Sequence, residues 1–133
     1  MPKAYINPEN LFSSQQYAFS QVIVAEGKKT IYISGQVAWN AKQEIGRTDL
    51  AEQAKRALEN LEISVRAAGG TRNDIVSLRL YIVGEHINNP LPIREALLGF
   101  FPADHLPTMT WIGVTALANK DFLIEIEAIA VLD

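Results

Sequence analysis

The run FLIEIEAIAV at 122–131 carries two carboxylates, Glu125 and Glu127, at alternate positions of a segment otherwise made of β-formers. Strand geometry puts both on one face. A carboxylate buried there is costly unless it is paired or hydrogen-bonded. Glu125 is therefore expected either to meet a partner across an interface or to serve as an acid or base. The remaining alternative is that both glutamates face solvent at a sheet edge. A second place for chemistry is IYISGQV at 31–37, where Ser34 and Gly35 end a strand and let backbone amides approach a ligand closely. A Ser-Gly turn that merely closes the strand explains the same residues.

Other chemistries have less to work with. His86 and His105 lie in Asn- or Pro-containing loops without a second ligand at metal-binding spacing, so no metal site is expected. The chain has no cysteine, which removes thiol catalysis, thiolate-bound zinc and disulfides. G-x-S-x-G, G-x-G-x-x-G and G-x-x-x-x-G-K-[ST] are all absent, so neither a nucleophile elbow nor a nucleotide cofactor has motif support.

The 133 residues include 12 basic and 15 acidic side chains, a net charge of -3, and the longest basic clusters are Lys28-Lys29 and Lys55-Arg56. No phosphate-tracking stripe results, and nucleic-acid binding is not expected. The N-terminal MPKAYINPENLF lacks the apolar stretch of a signal peptide, and no run of about 18 apolar residues suits a membrane span. A cytoplasmic protein with one domain, 1–133, is the expectation.

These residues need elements to hold them. FSQVIVA (19–25) and TIYISGQV (30–37) flank Gly27 and two lysines and predict a hairpin, with the first dozen residues as a linker. From Leu50 to Ala68, apolar residues at 50, 54, 57, 58, 61, 65 and 68 trace one helical face. Asp49 followed by Glu52 caps its start, and Gly69-Gly70 supplies its stop. IVSLRLYIV (75–83) predicts a strand with Val76, Leu78, Leu80 and Ile82 on one side. A second helix is expected from Pro92 to Phe101, then strands near 108–115 and 122–131. The outcome is an α+β or split α/β layer, a sheet with two helices on one face.

Period-two alternation assigns Tyr32, Ser34, Arg79, Tyr81, Met109, Trp111, Glu125 and Glu127 to the uncovered face. A mixture of apolar and charged groups there suggests an oligomer interface with a polar pocket. Solvent exposure of Arg79, Glu125 and Glu127 remains the alternative.

In combination and order, ISGQV (33–37), QAKRALENLEISVRAAGG (53–70), DIVSLRLYIV (74–83) and LIEIEAIAV (123–131) resemble the YjgF/RidA family over residues 17 to 132. The resemblance implies a chorismate-mutase-like α+β fold with a mixed sheet, a homotrimer, and small-molecule clefts between subunits. Active members hydrolyse 2-imino acids to 2-keto acids and ammonia. There an arginine in a P-A-R motif grips the substrate carboxylate, and a final-strand glutamate positions water or relays a proton. By the same resemblance Glu125 is the catalytic glutamate, and Ser34 and Gly35 form the SGQ turn. Phe19 takes the place of an aromatic residue before the first strand, with Tyr17 two residues away. Arg94 falls near a family asparagine. Pro107-Thr108-Met109 replaces P-A-R, so Met109 stands where the arginine is expected, and Trp111 replaces a small residue or cysteine.

The implied function is hydrolysis of an imine or enamine other than the usual 2-imino acids. The alternative is a non-catalytic small-molecule-binding or sensing trimer. The ribonuclease label carried by some members conflicts with the acidic charge balance.

Overall fold

The computed structural model describes residues 3–46 and 49–133. The strands are β1 (Lys3–Ile6), β2 (Val22–Ala25), β3 (Lys29–Gln36), β4 (Ile75–Val83), β5 (Thr108–Val114) and β6 (Ile124–Leu132); the helices are α1 (Leu50–Ala67) and α2 (Leu91–Phe100). Four strands make one mixed sheet in the order β3-β6-β4-β5. β6 pairs antiparallel with β3 and β4, while β4 and β5 run parallel.

The predicted hairpin does not form. β2 pairs with β1 through Ala4 and Val24, so the supposed linker contains a strand. β3 pairs instead with β6, Ile31 opposite Ala130. The link between β2 and β3 is pressed against the end of β6: a Cβ on Gly27 would lie 2.4 Å from the Leu132 carbonyl oxygen. The Lys28 amide donates to that same oxygen at 2.9 Å. Long-range pairing with a nine-residue strand thus displaces the local turn.

The first helix forms as its pattern requires. Asp49 accepts from the Glu52 amide at 2.8 Å, satisfying a donor the helix itself leaves open. At the other end Gly69, at φ +93, turns the chain left-handed, and the Gly70 amide donates back to the Val65 carbonyl at 2.9 Å. Leu58, Leu61 and Val65 face inward with Leu80, Ile82, Ile124 and Ile126 to form the core. Each fully buried aliphatic side chain of this kind contributes about 1.5–3 kcal/mol.

In β4 a bulge between Ile75 and Ser77 buries Ile75 and leaves Val76, the predicted inward residue, half-buried. Leu78, Leu80 and Ile82 keep the expected phase. Along β6, Ile124, Ile126, Ala128 and Ala130 are buried while Glu125, Glu127, Ile129 and Val131 are half-buried on the other face. Tyr32 on that open face is 79% exposed.

Candidate functional site

A pocket of about 290 Å³ opens beside β5, lined by Tyr17, Phe19, Pro90, Arg94, Met109 and Trp111. Phe19 is brought there by its neighbour: the Ser20 amide donates to the Pro107 carbonyl at 2.9 Å, and its hydroxyl donates to the Leu106 carbonyl at 2.6 Å. The chain before β2 is thereby pinned to the start of β5. The indole Nε1–H of Trp111 donates to the Met109 sulfur at 3.2 Å, joining the two side chains. From the first turn of α2, the Arg94 guanidinium lies 4.9 Å above the Tyr17 ring. Phe12 extends the aromatic wall, edge-on to Tyr17 and Phe19.

A second group sits where β3 crosses β6. A Cβ on Gly35 would lie 2.0 Å from Glu125 Oε2, so the carboxylate rests directly on the glycine backbone. The pairing of β3 with β6 is irregular between Ile33 and Gln36, and Ser34, in this irregularity, is exposed. One strand over, Tyr81 is opposite Glu125 and its hydroxyl donates to Glu127. That bond, with some burial and the Glu127 charge, pushes the Tyr81 phenol above its ordinary value, opposed by Arg79.

The two groups do not meet within one protomer. Met109 is opposite Leu78 and Trp111 opposite Leu80, so both point to the helix side, where they pack on the core. This corrects their assignment to the open face, which in β5 is occupied by Thr110 and Ile112 beside Arg79 and Tyr81. The sequence hides the phase, because TMTWIGV has apolar residues on both faces. Glu125 lies on the opposite side of the sheet from the pocket, with β4 between. Strands about 4.8 Å apart leave Glu125 two strands distant from Met109. Phe19, Arg94, Met109 and Trp111 are thus brought together; Gly35 meets Glu125 separately, with Ser34 its exposed neighbour on β3.

Two supporting residues escape the sequence patterns. Gln53 is fully buried; its Nε2 donates to the Asp121 carbonyl at 2.8 Å, and its Oε1 accepts from the Leu123 amide at 2.9 Å. It thereby fixes the start of β6, two residues before Glu125. Asn60 Nδ2 donates to the carbonyls of Val37 at 2.7 Å and Trp39 at 2.9 Å, holding the chain beyond the Ser34-Gly35 turn. Their signal is positional: both are amides on α1, seven residues apart and so on one side of the helix. Among the described residues no cluster of three or more His, Asp or Glu could hold a metal ion. No described helix is long and apolar enough to cross a membrane.

Residues 12–132 match the protein family described as Endoribonuclease L-PSP. The chain belongs to the YjgF/RidA family. Among curated YjgF/RidA relatives, the rat 2-iminobutanoate/2-iminopropanoate deaminase is 34% identical over 115 residues, 86% of this chain and 80% of that protein. A Rid-family protein of unknown function from Yersinia pestis, YyfB, shares the fold at TM-score 0.92 and 38% identity, covering 99% of this chain and 100% of that one. The structure of Escherichia coli TdcF with bound serine matches at TM-score 0.69 and 30% identity, over 91% and 97% of the two chains. YjgF/RidA membership accounts for the mixed sheet with two helices.

Proposed function

We propose that the chain acts as a homotrimer whose inter-subunit clefts bind a small imine or enamine and hydrolyse it. Each cleft joins the Phe19–Arg94–Met109–Trp111 pocket of one subunit to the Ser34–Gly35–Glu125 cluster of the next. The observation that carries this reading is the separation of the two groups on opposite faces of one sheet. Neither half holds both an apolar pocket and a carboxylate for the chemistry, and a neighbouring copy is the simplest source of the other.

In the proposed reaction Glu125 accepts a proton from water as its oxygen adds to the C=N carbon. Glu125 passes that proton to nitrogen, giving a carbinolamine; the carboxylate then takes the hydroxyl proton and delivers it to nitrogen as the C–N bond breaks, so that ammonia leaves behind a carbonyl. Ser34 and the backbone at Gly35 hold the C=N end of the ligand beside Glu125. Met109 and Trp111 make the other half apolar, so the ligand is larger and less polar than the 2-iminobutanoate and 2-iminopropanoate named for the rat relative. One observation favours binding without turnover: β5 lines the pocket with a thioether and an indole and no cation.

Subunit mixing tests the reading. Glu125→Gln and Trp111→Glu trimers should each fail to accelerate hydrolysis of 2-imino-3-phenylpropanoate, generated in place from phenylalanine by an amino-acid oxidase. Dissociated and reassembled together, they should regain about a quarter of the active clefts by random pairing. Full activity of the Glu125→Gln trimer would remove Glu125 from the chemistry, and no recovery on mixing would end the shared-cleft reading.

A further inference from the structure

We infer that the pocket beside β5 selects an aromatic carboxylate, with Arg94 as the residue that recognises its charge. The inference rests on the reading of this pocket as one half of a ligand cleft and names the chemistry it accepts.

Arg94 is a cation without a counter-ion. Among the described residues its side chain enters no ion pair and no hydrogen bond, and its guanidinium lies over the face of Tyr17. A guanidinium carries five N–H donors in a planar fork, and stacking on a ring leaves those in-plane donors free for a planar acceptor. No carboxylate lines the pocket. The first turn of α2 carries no acidic residue, and its N-cap is Pro90, which offers no side-chain acceptor. Arg94 and the N-terminal end of α2 both favour an anion over a cation in this pocket.

The rest of the lining decides what the anion is attached to. Tyr17, Phe19, Trp111 and Met109 present ring faces, ring edges and a polarisable sulfur, surfaces that pack best on another aromatic group. Phe12, 60% exposed, carries the aromatic wall outward to solvent. A volume of about 290 Å³ stands at the small end of ligand cavities, which suits one molecule of amino-acid size. Carboxylate on Arg94 and ring against Trp111 and Phe19 matches the charged and the aromatic parts of the lining.

Phenylacetate, its neutral analogue phenylacetamide, and acetate separate charge from ring. Calorimetry on the unaltered chain should show phenylacetate binding at least about tenfold more tightly than either of the others. Arg94→Gln should abolish the advantage over phenylacetamide while leaving phenylacetamide itself within about twofold; Arg94→Lys should restore part of it. A Trp39→Phe variant, with Trp111 as its only indole, should report phenylacetate through altered emission. Equal affinity for phenylacetate and phenylacetamide, or an advantage that survives Arg94→Gln, overturns the inference. The pocket is built within one protomer, so the result is independent of turnover. A charge preference that depends on Arg94, without imine hydrolysis, leaves this inference standing and the hydrolase reading fallen; hydrolysis without the preference does the reverse.

Discussion

Gly35→Ala separates positioning from folding. The added methyl would sit 2.0 Å from Glu125 Oε2 and 2.7 Å from both its Cδ and Cγ. The carboxylate oxygen must withdraw to about 3.4 Å, the near limit of ordinary contact, a displacement of over 1 Å. Gly35 is not among the residues with positive φ, so alanine imposes no backbone strain and lowers the entropy of the unfolded chain by about 0.4–1 kcal/mol equivalent. Turning the half-buried Glu125 side chain from Cγ outward costs about as much. Net stability should therefore stay within about 1 kcal/mol, a melting shift of roughly 5 °C or less. A misplacement of about 1 Å in a group that positions water lowers turnover by about 10²-fold. Calorimetric melting paired with hydrolysis of 2-imino-3-phenylpropanoate reads both quantities. If Gly35→Ala keeps wild-type turnover while Glu125→Gln loses it, the packing of Glu125 on Gly35 does not position the carboxylate.

Gln53→Leu should be more damaging to the fold, because it strands the part-buried Leu123 amide and Asp121 carbonyl that the buried Gln53 now joins; a loss of about 2 kcal/mol is expected, read as a melting point roughly 7 °C lower. Tyr81→Phe should alter the alkaline limb of stability. Because the Tyr81 phenol is raised by its bond to Glu127, the folded protein holds this proton more tightly than the unfolded chain. Its contribution is complete below about pH 10 and is lost as pH rises through the folded value. Urea titrations at pH 8 and pH 11 should therefore show wild type losing stability relative to Tyr81→Phe at the higher pH, and an unchanged difference would remove the Tyr81–Glu127 bond from the account.

Much of the architecture can be read from local patterns, and the exceptions share a cause. α1 is legible because its stripe, its Asp49 cap and its Gly69 stop all lie within the element. β6 shows its alternation because its inward residues are uniformly apolar. The failures arise where a choice depends on distant partners. β3 pairs with β6, about a hundred residues away, in preference to its neighbour β2. The bulge at Val76 shifts the phase of β4 in a way that IVSLRL cannot reveal. Met109 and Trp111 follow their parallel pairing with Leu78 and Leu80 to the helix side; Thr108 and Thr110 alternate with them, but Ile112 and Val114 on the threonine face blur that signal. Phe19 and Arg94 come together with them through Ser20 and α2, a meeting that no spacing encodes.

The most direct measurement compares wild type with Met109→Arg on 2-iminopropanoate and 2-imino-3-phenylpropanoate, each generated in place and corrected for spontaneous hydrolysis. Wild type should favour the phenyl compound, and Met109→Arg should raise hydrolysis of 2-iminopropanoate at least about tenfold, because a guanidinium fixed on β5 adds a bidentate contact to the one that Arg94 offers from α2. Wild-type hydrolysis of 2-iminopropanoate as fast as that of Met109→Arg would show that the missing arginine does not define this cleft.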